Sequence, residues 1–198
     1  MNQNLDPNLN PSLSLAGLAS QAQRDTIAWL ERAVIGLNLC PFAKAVHAKG
    51  QIHYAVCTDT DPQQLLAQLT IELYDLQAQA ASVRETTVLI ATSCLQDFIT
   101  YNDFLQKANK TLRKLGFEGV FQIASFHPQY QFSGVPEDDI SNFTNRSPYP
   151  LLHLLREASL DRAITAFPDA ADIFETNIRT LTTLGHEGWL ALHVDATP

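Results

Sequence analysis

The run TTVLIAT, residues 86–92, is apolar almost without a break and has the length of a strand. A surface helix would place its apolar residues at a 3.6-residue period, and a half-exposed strand would alternate. A short continuous run suits a strand buried on both faces. The segments around it complete a pattern. QIHYAVC (51–57) alternates, with Ile52, Tyr54 and Val56 on one side, and GVFQIASF (119–126) is a third strand-length run. DPQQLLAQLTIELYDLQAQ lies between the first two, with Asp61 as cap, Pro62 at the first helical position and Gln64 placed for a capping box. LQDFITYNDFLQKANKTLRKLG lies between the second and third; Phe98, Leu105, Leu112 and Leu115 face inward and Gly116 stops the helix. The order β-α-β-α-β predicts an α/β fold of two or three layers. Its sheet is small and mainly parallel, with three to four strands, crossover helices and extra C-terminal helices.

Residues 1–20, rich in Asn, Pro, Ser and Leu without a period, read as a flexible tail, and 21–198 as a single domain. A first helix is expected over 24–37, with Ile27, Leu30, Val34 and Leu37 as its stripe. NLCPF interrupts it, and Pro41 suits the start of a short second helix that Gly50 ends. Residues 127–147 form a long polar loop of the kind that is usually functional or mobile. Helices are expected over 148–164 and 169–184, the second ended by Gly185, and EGWLALHV reads as a fourth strand at a sheet edge.

Of the 198 residues, 45% are hydrophobic and 17% charged, ample material for a core. The net charge of −8 argues against general nucleic-acid binding, which needs a basic face to neutralise phosphates. No apolar run approaches the roughly 20 residues of a membrane span. The first residues lack both the basic start and the apolar stretch of a secretory signal. Cys40, Cys57 and Cys94 are odd in number and widely spaced, so a reducing cytoplasm is the expected compartment.

Ligands of open α/β sheets gather beyond the carboxyl ends of the strands, and the exits CTDTD, TSC and SFHPQYQ all carry hydrogen-bonding or reactive groups. His127 follows an apolar strand and precedes Pro128, a rigid mount for a general acid or base. Cys40, placed just before a helix start, lies where free amides favour thiolate, with Lys44 one turn on to support negative charge. Ser147 before Pro148 is a helix-cap signature, and Arg146 beside it makes an anion-binding corner. His153 and Glu157, four apart on the expected helix, share a face and are placed to orient or assist His127. These residues predict an enzyme, a hydrolase or transferase, for a small anionic phosphate or carboxylate substrate. Cys40, His127, His153 and Glu157 would do the chemistry, and Lys44, Arg146 and Ser147 would hold the anion. Two alternatives stand beside it: a metal-dependent enzyme with His127, His153 and Glu157 as ligands, and a non-catalytic metabolite-binding protein. The absence of a Walker loop, GxGxxG and GxSxG argues against glycine-loop nucleotide binding and the α/β-hydrolase elbow, and leaves any cofactor open.

VIGLNLCPFAKA (34–45), FHPQYQFSG (126–134) and NRSPYPLLHLLREASLDRA (145–163) resemble the blocks of an uncharacterised bacterial family, a domain of unknown function, over about residues 22–195. The resemblance implies a bacterial, cytoplasmic protein and carries no activity or catalytic residue with it.

Overall fold

A computed structural model describes residues 15–166 and 172–197. Four strands form one sheet: β1 (Ile52–Cys57), β2 (Thr86–Ala91), β3 (Phe121–Phe126) and β4 (Leu151–Arg156). Their spatial order is β1-β2-β4-β3. β1 and β2 pair in parallel, while β4 runs antiparallel to both β2 and β3. Three of the four strands therefore point the same way, and β4 alone points back.

The crossover helices α3 (Pro62–Ala78) and α4 (Phe98–Lys114) cover one face. They close a core with Leu65, Leu69, Leu73, Leu89, Tyr101, Phe104, Leu152 and Leu154. Both start as polar chemistry requires. The Asp61 carboxylate accepts from the Gln63 amide at 2.9 Å, and Asp97 from the Thr100 amide at 2.8 Å. The expected capping box at Asp61 has a different second half, since the Asp61 amide donates to Asp59 Oδ1. The other face carries α1 (Leu15–Trp29), a π-helical segment (Leu30–Ile35), α2 (Ala43–Ala48), α5 (Glu157–Ala166) and α6 (Ile173–Leu190). The result is a three-layer α/β fold with interleaved helices. Among the described residues no helix is long and apolar enough to cross a membrane.

Several expected elements differ. Residues 1–14 of the expected tail lie outside the described residues, and 15–20 already belong to α1. The helix expected over 148–164 is a strand for its first half. Ser147 and Tyr149 each precede a proline, which drives both to extended backbone. Leu151–Leu155 then enters the gap between β2 and β3, where an apolar run is buried on both faces. Helix α5 begins only at Glu157, whose acidic side chain suits a first helical turn. The fourth strand is thus β4, and EGWLALHV is not a strand: α6 kinks at Gly185 (φ 66°) and resumes helix to Leu190. The start expected for that helix, residue 169, lies outside the described residues. The long loop 127–147 contains a short 3-10 helix, Ile140–Thr144, and is laced together by Asn142. Its side chain accepts from the Phe132 amide and donates to the Pro136 and Glu137 carbonyls.

A strand over 151–156 followed by a helix from Glu157, and one helix running throughout, predict different mutational patterns. Leu154, fully buried in β4, costs about 2–5 kcal/mol on truncation to alanine. Ala158, which a helix stripe would bury, is exposed, so Ala158→Glu changes stability by less than about 0.5 kcal/mol. Urea denaturation of the two variants checks this; a large loss at Ala158 would contradict the strand.

Candidate functional site

The pleat of β4 turns Leu152 and Leu154 toward α3 and α4, and Leu151, His153 and Leu155 toward the opposite layer. With Val88 of β2 and Ala124 and Phe126 of β3, these make the floor of a cavity of about 350 Å³. Trp29, Leu30 and Val34 close it from α1 and the π-helical segment, Cys40, Phe42, Ala43 and Val46 from the α2 region, and Ser159, Leu160 and Ala163 from α5. Its size falls in the range of small-molecule sites. Alanines at 43, 124 and 163 leave the space that larger side chains would fill.

The backbone around Cys40 is built for this approach. The Gly36 amide reaches back five residues to the Glu31 carbonyl at 3.0 Å, and Leu39 does the same to Val34 at 2.9 Å. Such widened turns recur at functional sites. A Cβ on Gly36 would stand 2.2 Å from the Arg32 carbonyl oxygen, so only glycine fits. Asn38 then takes a left-handed conformation (φ 54°) and the chain reverses to bring Cys40 over the sheet.

Few polar atoms enter the cavity. His153 Nε2 lies 2.7 Å from Thr86 Oγ1. Burial lowers the imidazole pKa to about 4. Burial also pushes the Cys40 thiol up, against the opposing effect of the Phe42 and Ala43 amides that point at its sulfur. The expected nest of amides at Cys40 therefore exists, yet the thiol form prevails. Arg156 touches the cavity, but its guanidinium donates to the carbonyls of Leu76, Gln79 and Arg84, where it caps the end of α3.

The remaining candidates are elsewhere. His127 is fully buried on the α4 side, between Phe98 and Tyr101. Its Nε2–H donates to the Leu95 carbonyl at 3.0 Å, and its Nδ1 accepts from the Gln129 amide at 3.0 Å. Both nitrogens are used, and burial lowers its pKa. Arg146 lies over the Phe143 ring, 4.2 Å from its centre, and donates to the backbone carbonyls of Tyr130 and Glu137, tying the long loop together. Ser147 caps no helix; its hydroxyl donates to the Tyr149 carbonyl at 2.6 Å. Arg146 and Ser147 border a separate recess with Trp29, Phe143 and Trp189. Lys44 is exposed and outside the cavity lining. Glu157 opens α5 and does not share a helix face with His153, which is in the strand before it. Among the described residues no three His, Cys, Asp or Glu side chains gather to hold a metal ion, so His127, His153 and Glu157 are not brought together as a ligand set.

A family model described as a protein of unknown function, DUF1415, matches residues 21–191. The chain belongs to the DUF1415 family. No curated protein and no solved structure matches it.

The DUF1415 segment contains every residue of the cavity lining, from Trp29 to Ala163. Of the predicted site residues, Cys40 and His153 meet in that lining. The residues missed in sequence are its carbon walls, such as Phe42, Val46, Phe126 and Leu160, because an apolar residue facing a cavity reads like one facing a core. For the DUF1415 chain, the lowered pKa of His153 sets a pH window. Below the ordinary histidine value of 6.5 the unfolded chain takes up protons that the folded chain refuses until about pH 4. Stability therefore falls as pH falls through that window and levels off beneath it. His127 and His53, both also lowered by burial, act in the same direction. Urea midpoints followed down through the window should fall less steeply in His153→Phe than in wild type; parallel profiles would contradict the assignment.

Proposed function

We propose that the protein binds a small, largely apolar molecule, or the apolar part of a metabolite, in the cavity between the sheet and the α1, α2 and α5 layer. One observation carries this reading. Segments from both sides of the chain enclose about 350 Å³ of carbon-walled space, with the His153 imidazole and the Cys40 thiol among its few polar groups. The side chains lining a space of that size have no protein atoms packed against one side, where a close-packed core would supply them. A bound ligand would make those contacts.

The reading of an enzyme for a small anion draws less support. The guanidinium of Arg146 is taken up by loop carbonyls, Lys44 stands outside the cavity, and the Arg156 charge is directed at the end of α3. An enzymatic version keeps one specific observation, that Cys40 and His153 line the same cavity. In it the Cys40 thiol would add across a polarised C=C or C=O bond of the bound molecule: sulfur bonds to the electrophilic carbon as the π bond breaks, and the thiol proton passes by way of the imidazole to the atom that receives the π electrons. Cys40→Ala separates the two, since turnover would be lost while binding remains.

A thermal-shift screen with apolar and amphipathic small molecules tests the binding reading. A ligand at about a hundred times its Kd adds about 2.7 kcal/mol, which for a chain of this size raises Tm by about 5–10 °C. Ala124→Leu, which extends the floor into the void, should abolish the shift without unfolding the protein. A shift of the same size in Ala124→Leu, or no shift with any apolar class, would overturn the proposal.

A further inference from the structure

Resting on that reading of the cavity, we infer that its ligand presents a neutral hydrogen-bond donor, a hydroxyl, phenol or amide N–H, to Nδ1 of His153. The argument starts at Thr86. Its Oγ1 lies 2.5 Å from the Leu154 carbonyl oxygen and 2.7 Å from His153 Nε2. A carbonyl only accepts, and two oxygens so close need a hydrogen between them. The single hydroxyl hydrogen of Thr86 is therefore directed at Leu154. Thr86 Oγ1 must then accept from the imidazole, which places the ring proton on Nε2 and the lone pair on Nδ1.

Nδ1 makes no hydrogen bond among the described residues. It is also not one of the occluded polar atoms without a partner, which are Tyr54 Oη and Arg156 Nε. It thus keeps open surface, and His153 lines the cavity. An imidazole lone pair in a carbon-walled space is an acceptor that a matched ligand satisfies and an unmatched one leaves desolvated. The charged groups of the lining select the same ligand. Glu85 is the acid there, and the Arg156 guanidinium is bonded to the Leu76, Gln79 and Arg84 carbonyls and stands over the Phe121 ring, part of the core on the opposite sheet face. A carboxylate or phosphate placed against Nδ1 would set its own lone pairs against the imidazole lone pair and could donate no hydrogen bond to it. A neutral donor would complete the chain from ligand to His153 to Thr86 to Leu154. Burial keeps the ring neutral at ordinary pH, so the lone pair is present there.

Four probes of shared shape test this by calorimetry on the full chain: butylbenzene, para-butylphenol, para-butylanisole and para-butylbenzoate. The phenol should bind about fivefold or more tightly than the anisole, the value of one net hydrogen bond. That preference should vanish in His153→Phe while butylbenzene still binds. Thr86→Val supplies a second route, because removing the acceptor that fixes Nε2–H should shrink the preference even where His153→Phe folds poorly. Nitrogen NMR of the imidazole should report Nε2 as the protonated site. Equal binding of phenol and anisole, tightest binding of the benzoate, or a protonated Nδ1 would overturn the donor assignment while butylbenzene binding leaves the cavity reading intact. Failure of all four probes, butylbenzene included, would overturn the cavity reading itself and this inference with it.

Discussion

The insertion of β4 between β2 and β3 is the constraint on which the rest of the molecule depends. A strand bonded along both edges cannot slide: its register is set by Val88 and Ala124, which stand on either side of His153. A one-residue slip would exchange its two faces. Leu152 and Leu154 would leave the core under α3 and α4, and His153 would enter it without Thr86. With the observed register, one strand completes a close-packed core on one side and floors a cavity on the other. Two buried polar groups hold the flanking layers to this arrangement. Arg84, just before β2, donates to Glu72 of α3 and to Thr87. Asp25 of α1 accepts from Tyr149, at the approach to β4, and from Thr197 near the end of the chain. Burial alone would raise the Asp25 pKa, but its hydrogen bonds from Thr197, Tyr149 and Gln21 outweigh that and lower it.

The α/β class was legible in the sequence wherever local pattern and final environment agree. TTVLIA is buried throughout as β2, Asp61 caps the helix it opens, and Gly116 takes the left-handed conformation that ends one. LLHLLR imitates a helix for a physical reason. Its apolar run is too short for periodicity to separate a buried strand from a helix, and Ser-Pro before it imitates a helix start. The partners that make it a strand, β2 and β3, are distant in sequence. Tyr149-Pro150 was the local signal against a helix, since it keeps the chain extended up to the first residue of the strand.

The candidate site was legible only in part, and for a related reason. Sequence draws attention to polar residues, yet a polar residue in a fold must first satisfy its own hydrogen bonds. His127, Arg146 and Ser147 do so with backbone groups, and in doing so they hold the long loop and the exit of β3 in place. Cys40 and His153 are brought to one cavity by elements more than a hundred residues apart, which spacing cannot reveal. What surrounds them is carbon, and a cavity wall has no signature distinct from a core in one dimension.

The central claim is that the sheet has two unlike faces, one filled and one open to a ligand. Methyl NMR of the full chain during titration with butylbenzene tests it most directly. The account predicts saturable shifts at Leu30, Val34, Val88, Leu155 and Leu160, which line the cavity, with Leu69, Leu73 and Leu89 of the opposite core unmoved. Shifts spread evenly over both faces, or none at saturating probe, would contradict it.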